Sequence, residues 1–225
     1  MTRIIQDRAI KGSQKWMQVV VNEYPHLLND FLRPKMQLDI QDSIKWLSPI
    51  SDDSYSEYRD NDLLKVLDIE LKNRSLDDFW PRGGPVWDGL AKSGSGDIIL
   101  VEAKSHISEM RSFCQACEQS LEQIQDSLKE AARFYGASSP SNWTKGYYQY
   151  ANRLAYLYFL RNLNEIPAWL ISVYFVNDID MNGPKSEDEW KLAIADIHNH
   201  LGVKSEGLEP HVIDVFVDVA NQFSR

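Results

Sequence analysis

The fold is decided by Val86-Trp87-Asp88-Gly89-Leu90-Ala91, the loop Lys92-Ser93-Gly94-Ser95-Gly96, and then Asp97-Ile98-Ile99-Leu100-Val101-Glu102-Ala103-Lys104-Ser105. Residues 85–91 and 97–105 are two short runs around a serine and glycine loop of hairpin composition, so they read as antiparallel strands. Side chains alternate faces along a strand, which sends Glu102 and Lys104 the same way at the end of an apolar run. With the hairpin centred near Gly94 and Ser95, Asp88 lies opposite residues 100–102. An even register puts it on the Glu102 face, and a slip of one residue moves it to the other side.

Outward from the hairpin the period is helical. Residues 108–135 contain neither Gly nor Pro, and Met110, Phe113, Cys114, Cys117, Leu121, Ile124, Leu128, Ala131 and Ala132 fall at helical spacing, which predicts one long helix ending at Gly136. After a break at 138–141, a helix is expected over 145–163, then a buried strand over 169–176, rich in β-branched and aromatic residues. Ser186 caps a helix over 187–201 that Gly202 closes, and 211–219 alternates as a final strand. Upstream, 13–29 is a mixed helical pattern interrupted by Pro25. Ser51-Asp52-Asp53 reads as the cap of an amphipathic helix that carries Glu57, and a short helix precedes Phe79-Trp80-Pro81. The expected fold class is α/β: a small mixed β-sheet core flanked by helices, in one domain overall. Its parts are an N-terminal helical lead-in over 1–50, packed on the core, and an α/β domain over 51–225.

Composition sets the outer limits. With 225 residues, 25% charged and 43% hydrophobic, the chain belongs to the globular class, not to disordered, coiled-coil or membrane proteins. A net charge of −9 argues against adhesion to nucleic acid by overall charge, so such a partner needs a local basic patch. Two cysteines are too few to staple a domain this size and suggest free thiols in a reducing compartment, with a cytoplasmic location expected. Lys11, Lys15 and Gln18 interrupt the N-terminal apolar stretches, which is unlike a signal peptide. The longest uncharged apolar run, 167–176, is about half of a membrane helix, so no membrane partner is expected.

The hairpin end also carries chemistry. Two carboxylates, Asp88 and Glu102, converging with Lys104 suit a hard divalent cation such as Mg²⁺, which takes oxygen ligands and keeps several waters. The Ala103 backbone carbonyl is a candidate further ligand. Lys104 can then position a water and neutralise charge on a phosphoryl group. The competing assignment is a surface salt bridge, a common and weak feature. Against it stand the four apolar residues before Glu102, which place its charge at the edge of a buried strand, and Trp87 beside Asp88.

Asp88, thirteen intervening residues, and Glu102-Ala103-Lys104 together resemble the PD-(D/E)xK nuclease superfamily, with its restriction-endonuclease-like fold. Pro85 stands three residues before Asp88 rather than one. The resemblance covers about 54–135 and, through the element order, reaches toward residue 219. It implies Mg²⁺-dependent hydrolysis of phosphodiester bonds in DNA or RNA, with Mn²⁺ as an alternative ion. It also implies Asp88 and Glu102 as metal ligands, Lys104 as the water-positioning group, and an accessory carboxylate, for which Glu57 is the first candidate and Glu70 the second.

Other residues carry two readings each. His106 is a candidate phosphate contact or a solvated histidine. Gln149 and Arg153, four apart among tyrosines, are candidates for reading phosphates or bases, or simply part of a packed tyrosine-rich helix. Gln115, Gln119 and Gln123 share a face of the expected long helix and read as solvated, or as a glutamine that orients the site. Cys114 and Cys117 lack a second cysteine pair and read as small buried residues. His198 and His200 are spaced to point apart. Beside the nuclease stand two alternatives: a noncatalytic or partner-activated module of the same fold with a protein partner, and a hydrolase of a small phosphoester.

Overall fold

The computed structural model describes residues 2–39, 41–138 and 143–223. In chain order the elements begin with β1 (Arg3–Ile4), α1 (Gly12–Glu23), α2 (Pro25–Lys35), β2 (Ile44–Ser48) and β3 (Glu57–Tyr58). There follow α3 (Asp60–Val66), α4 (Leu76–Phe79), β4 (Gly89–Ser93), β5 (Ile98–Lys104) and α5 (Glu118–Phe134). The chain continues through α6 (Tyr148–Tyr158), β6 (Ala168–Val176), α7 (Glu187–Leu201), α8 (Ser205–Leu208), β7 (Val212–Asp218) and α9 (Val219–Gln222).

One five-stranded mixed sheet runs β2-β4-β5-β6-β7, antiparallel from β2 to β5 and parallel from β5 to β7. The unbroken apolar runs of β5 and β6 follow from burial on both faces, as expected where helices cover a parallel pair. Ile98, Leu100, Leu170 and Tyr174 pack with Leu128 of α5, Leu154 of α6 and Trp190 of α7. Ile99, Val101, Ala103, Ile171 and Val173 face the other way, onto Met17 and Val20 of α1 and Leu28 and Leu32 of α2. The even positions of β5 therefore point under α6, which fixes where Glu102 and Lys104 emerge.

Three expectations are corrected. The segment read as wholly helical contains β2, which forms the sheet's outer strand beside β4. Ile44, Trp46 and Ser48 are buried in alternation, the two-residue period that marks a strand. Glu57 sits on β3, paired antiparallel with β1, not on a helix, because Ser54 and Tyr55 turn the chain with φ of 52° and 46° and α3 starts only at Asp60. The long helix begins at Glu118, because 112–114 runs extended: the Ser112 and Cys114 amides donate to the Gly146 and Thr144 carbonyls at 2.8 and 3.1 Å. Cys117 accordingly precedes the first turn of α5 and is exposed, and Gln115 lies outside the helix. Of the break at 138–141, all but Ser138 lies outside the described residues.

One polar row crosses the even face, since Glu102, Ser172 and Asp214 are register partners on β5, β6 and β7. Asp214 Oδ1 is buried without a hydrogen-bond partner, and burial pushes the carboxyl up to about 6. Native Asp214 binds its proton more tightly than the unfolded chain does, so stability contributed at acid pH is lost as pH rises from about 4 to 6. Asp214→Asn is therefore expected to stabilise by about 3 kcal/mol at pH 7.5 and about 1 kcal/mol at pH 4.5, read as the urea unfolding free energy. An equal effect at both pH values refutes the assignment.

Candidate active site

Glu102 lies within the buried part of β5, which runs on through Ala103, and its carboxylate would be costly there without partners. It has two. Lys104 Nζ donates to Oε1 from two residues along the same strand, and Arg153 of α6 donates to Oε2 through Nε at 2.7 Å, with Nη2 in ion-pair contact with the same oxygen at 2.6 Å. Glu102 and Arg153 are 7% and 3% exposed, so this ion pair is an interior one.

The first hairpin strand is β4, Gly89–Ser93, shifted from the expected 85–91, so Asp88 is the residue just before it. Gly89 pairs with Val101 and Leu90 with Leu100, which carries Asp88 opposite Glu102. There Asp88 Oδ2 accepts the Ala103 amide at 2.8 Å. The approach to Asp88 is braced by Asp60, whose carboxylate accepts the Gly83 and Gly84 amides at 3.1 and 2.9 Å. A Cβ on Gly84 would lie 2.1 Å from the Tyr156 hydroxyl, so only glycine lets the chain pass there. Glu57 reaches the same neighbourhood from β3, which meets the run before Asp88 through a Tyr58–Trp87 bridge, and Gln6 donates to Glu57 Oε2 at 3.1 Å.

Electrostatics ties these groups together. Burial, then the Glu102 charge, pushes Asp88 up to about 7 against Lys104 and the Ala103 amide. Burial opposes ionisation of Glu102, yet Arg153 and Lys104 hold it below the usual range. Burial opposes the charge on Lys104 as well, but Glu102 and Asp88 outweigh it and raise its pKa. Glu57 is raised by burial and by Glu102, against hydrogen bonds from Gln6 and Gln14.

The remaining candidates divide. Gln149, Arg153, Glu102, Lys104 and Ser172 line one small cavity of about 20 Å³, room for a single water. His106 lies elsewhere, lining a surface cleft with Met181 and Gly183, and both its ring nitrogens are engaged, by Ser108 Oγ at 2.6 Å and Glu109 Oε1 at 2.9 Å. Glu70 lines a different cleft with Leu64 and Asp68. No local pattern marks Asp60, a non-glycine residue at φ 51°, or the Arg153–Glu102 pair, whose partners lie 51 residues apart.

Among the described residues, no group of three or more His, Cys, Asp or Glu is arranged to cage a metal ion. Glu57, Asp88 and Glu102 are oxygen donors of the kind a hydrated hard cation takes. Burial first, and then the Glu102 charge, disfavours ionisation of Asp88 and Glu57, while Lys104 and Arg153 stand as cations on Glu102 itself. Mg²⁺ needs only one or two carboxylates and fills its shell with water.

Comparison with models of known families, with curated proteins and with solved structures gives no match. Among the described residues, no helix is long and apolar enough to cross a membrane.

Proposed function

We propose that the chain is a Mg²⁺-dependent nuclease of restriction-endonuclease-like fold that hydrolyses phosphodiester bonds in DNA or RNA. The observation that carries this reading is the placement of Asp88 opposite Glu102, with Lys104 bonded to that same carboxylate. Asp88 and Glu102 would hold the ion, with the Ala103 carbonyl and Glu57 as accessory oxygens. A bound Mg²⁺ supplies positive charge to the phosphoryl oxygens and makes water a better nucleophile at neutral pH. Lys104, kept protonated by Glu102 and Asp88, has donors to spare for orienting the attacking water and offsetting charge on the phosphoryl group.

The cavity lined by Arg153, Glu102 and Lys104 admits a water but no nucleotide, which weighs against a small enclosed phosphoester. Arg153, fully engaged inside, is unsuited to reading phosphates. One cleft brings Arg59, Lys65 and Arg82 together, but it shares them with Asp60, Asp62 and Asp77. That balance, with both Glu102 oxygens already bonded, favours as second reading a site that a protein partner activates by adding basic surface.

The test incubates the chain with single- and double-stranded DNA and RNA in Mg²⁺, in Mn²⁺ and with EDTA. Cleavage that requires either ion is expected. Cleavage surviving EDTA removes the metal reading, and inertness on all four substrates in both ions favours the partner-activated one.

A further inference from the structure

Glu102 has two partners of different kinds. Lys104 is a single ammonium on a flexible stem, with one contact to Oε1. Arg153 is a planar fork whose Nε and Nη2 converge on Oε2, whose Nη2 also reaches the Val86 carbonyl at 2.7 Å, and whose Nη1 reaches Asn152 Oδ1 at 2.9 Å. Its face lies 4.6 Å from the Trp87 ring centroid. Val86 and Trp87 immediately precede Asp88. One side chain of α6 therefore grips the carboxylate of β5 and the backbone that delivers the opposing carboxylate.

We propose that Arg153 is the permanent positioning residue of this site, fixing Glu102 through Oε2 and the 86–88 run together, and that Lys104 is the exchangeable partner, leaving Oε1 to an incoming divalent cation. The proposal rests on the metal-site reading above. Freeing Oε1 breaks one contact, and the lysine stem can carry its ammonium toward water or a phosphate. Freeing Oε2 breaks the fork and strands a guanidinium that is 3% exposed, the costly way to open a buried pair. Glu102 then offers the ion one oxygen while the other stays locked, as ligands held by outer partners do.

Charge alone predicts the opposite sign. A buried cation beside metal ligands repels an incoming cation, so if Arg153 acted only through its charge, removing it would tighten metal binding. If it acts by position, removal weakens binding, and Arg153→Lys, which keeps the charge and loses the fork, weakens it too.

The experiment is Mn²⁺ binding to the full chain without substrate, read by calorimetry and by the paramagnetic resonance of free Mn²⁺, with circular dichroism as a check on folding. Arg153→Ala and Arg153→Lys are expected to weaken binding about 10- to 100-fold. Guanidinium ion below denaturing concentration should partly restore the Ala variant and leave the Lys variant unchanged. Lys104→Met should bind Mn²⁺ as well as the parent or more tightly, because the competitor for Oε1 is gone. Tighter or unchanged binding in the Arg153 variants overturns the proposal, as does weakening in Lys104→Met equal to theirs. If neither Arg153 variant folds, Asn152→Ala, which removes one anchor of the fork, must weaken binding or the proposal falls. A parent chain that binds no Mn²⁺ removes the metal reading itself, and the proposal with it.

Discussion

Lys104→Met and Asp88→Asn are each expected to lower the initial rate of metal-dependent cleavage by about 10²- to 10⁴-fold while leaving the circular dichroism spectrum like that of the parent chain. The two losses arise differently. Lys104→Met keeps the stem that packs beside Glu102 and removes the ammonium, so transition-state charge goes uncompensated while metal binding persists. Asp88→Asn keeps an oxygen able to accept the Ala103 amide, so the hairpin mouth holds its shape. It removes an anionic donor that burial and Glu102 already push up to about 7, and the ion is held more weakly. Raising Mn²⁺ should therefore recover part of the Asp88→Asn rate and none of the Lys104→Met rate. A rate like the parent's in either variant sinks the catalytic assignment.

The convergence of Asp88, Glu102 and Lys104 is legible in the sequence because a hairpin obeys local rules. The glycine and serine loop set the turn, the two-residue period set the faces, and an even register brings Asp88, Glu102 and Lys104 together without knowledge of the rest of the chain. The strand at 168–176 and the helix closed by Gly202 were legible for similar reasons, an apolar run rich in β-branched residues in one case and a residue in the left-handed region at φ 68° in the other. What failed depended on distant partners. Glu57 follows a helical capping pattern, yet pairing with Arg3 and Ile4 fixes it as a strand. The 108–117 segment has helical periodicity, yet its amides bond across to 144–146. Arg153 was recognised as a polar residue among tyrosines, but its partner is set by how α6 lies over the even face of β5, which no local pattern encodes. The strand at 44–48 is different: its alternation is local, but it follows directly on the helical signal of the preceding segment.

Trp87 is where packing and the site meet, and its truncation carries the largest expected cost in stability. The ring is fully buried in the cluster that includes Leu100 and Tyr156, stands edge-on to Tyr156 at 6.1 Å between centroids, and underlies the Arg153 guanidinium. Its backbone bridges Tyr58, which connects the strand carrying Glu57 to the run leading into Asp88. Trp87→Ala opens a cavity at that junction and removes the aromatic face beneath Arg153, so a loss of about 3–5 kcal/mol is expected from urea unfolding, with about 1 kcal/mol of cation–π attraction included. Trp87→Phe should cost far less. It retains a ring under the guanidinium, and the indole Nε1 it discards is buried with no hydrogen-bond partner, so no bond is lost with it. The two variants should also separate in Mn²⁺ affinity, the Ala variant binding more weakly than the Phe variant when both are measured well below their unfolding midpoints, because only the first unseats Arg153. Equal unfolding free energies for Trp87→Ala and Trp87→Phe would show that the ring contributes no packing there, and equal Mn²⁺ affinities would show that the face of Trp87 does not help hold Arg153 on Glu102.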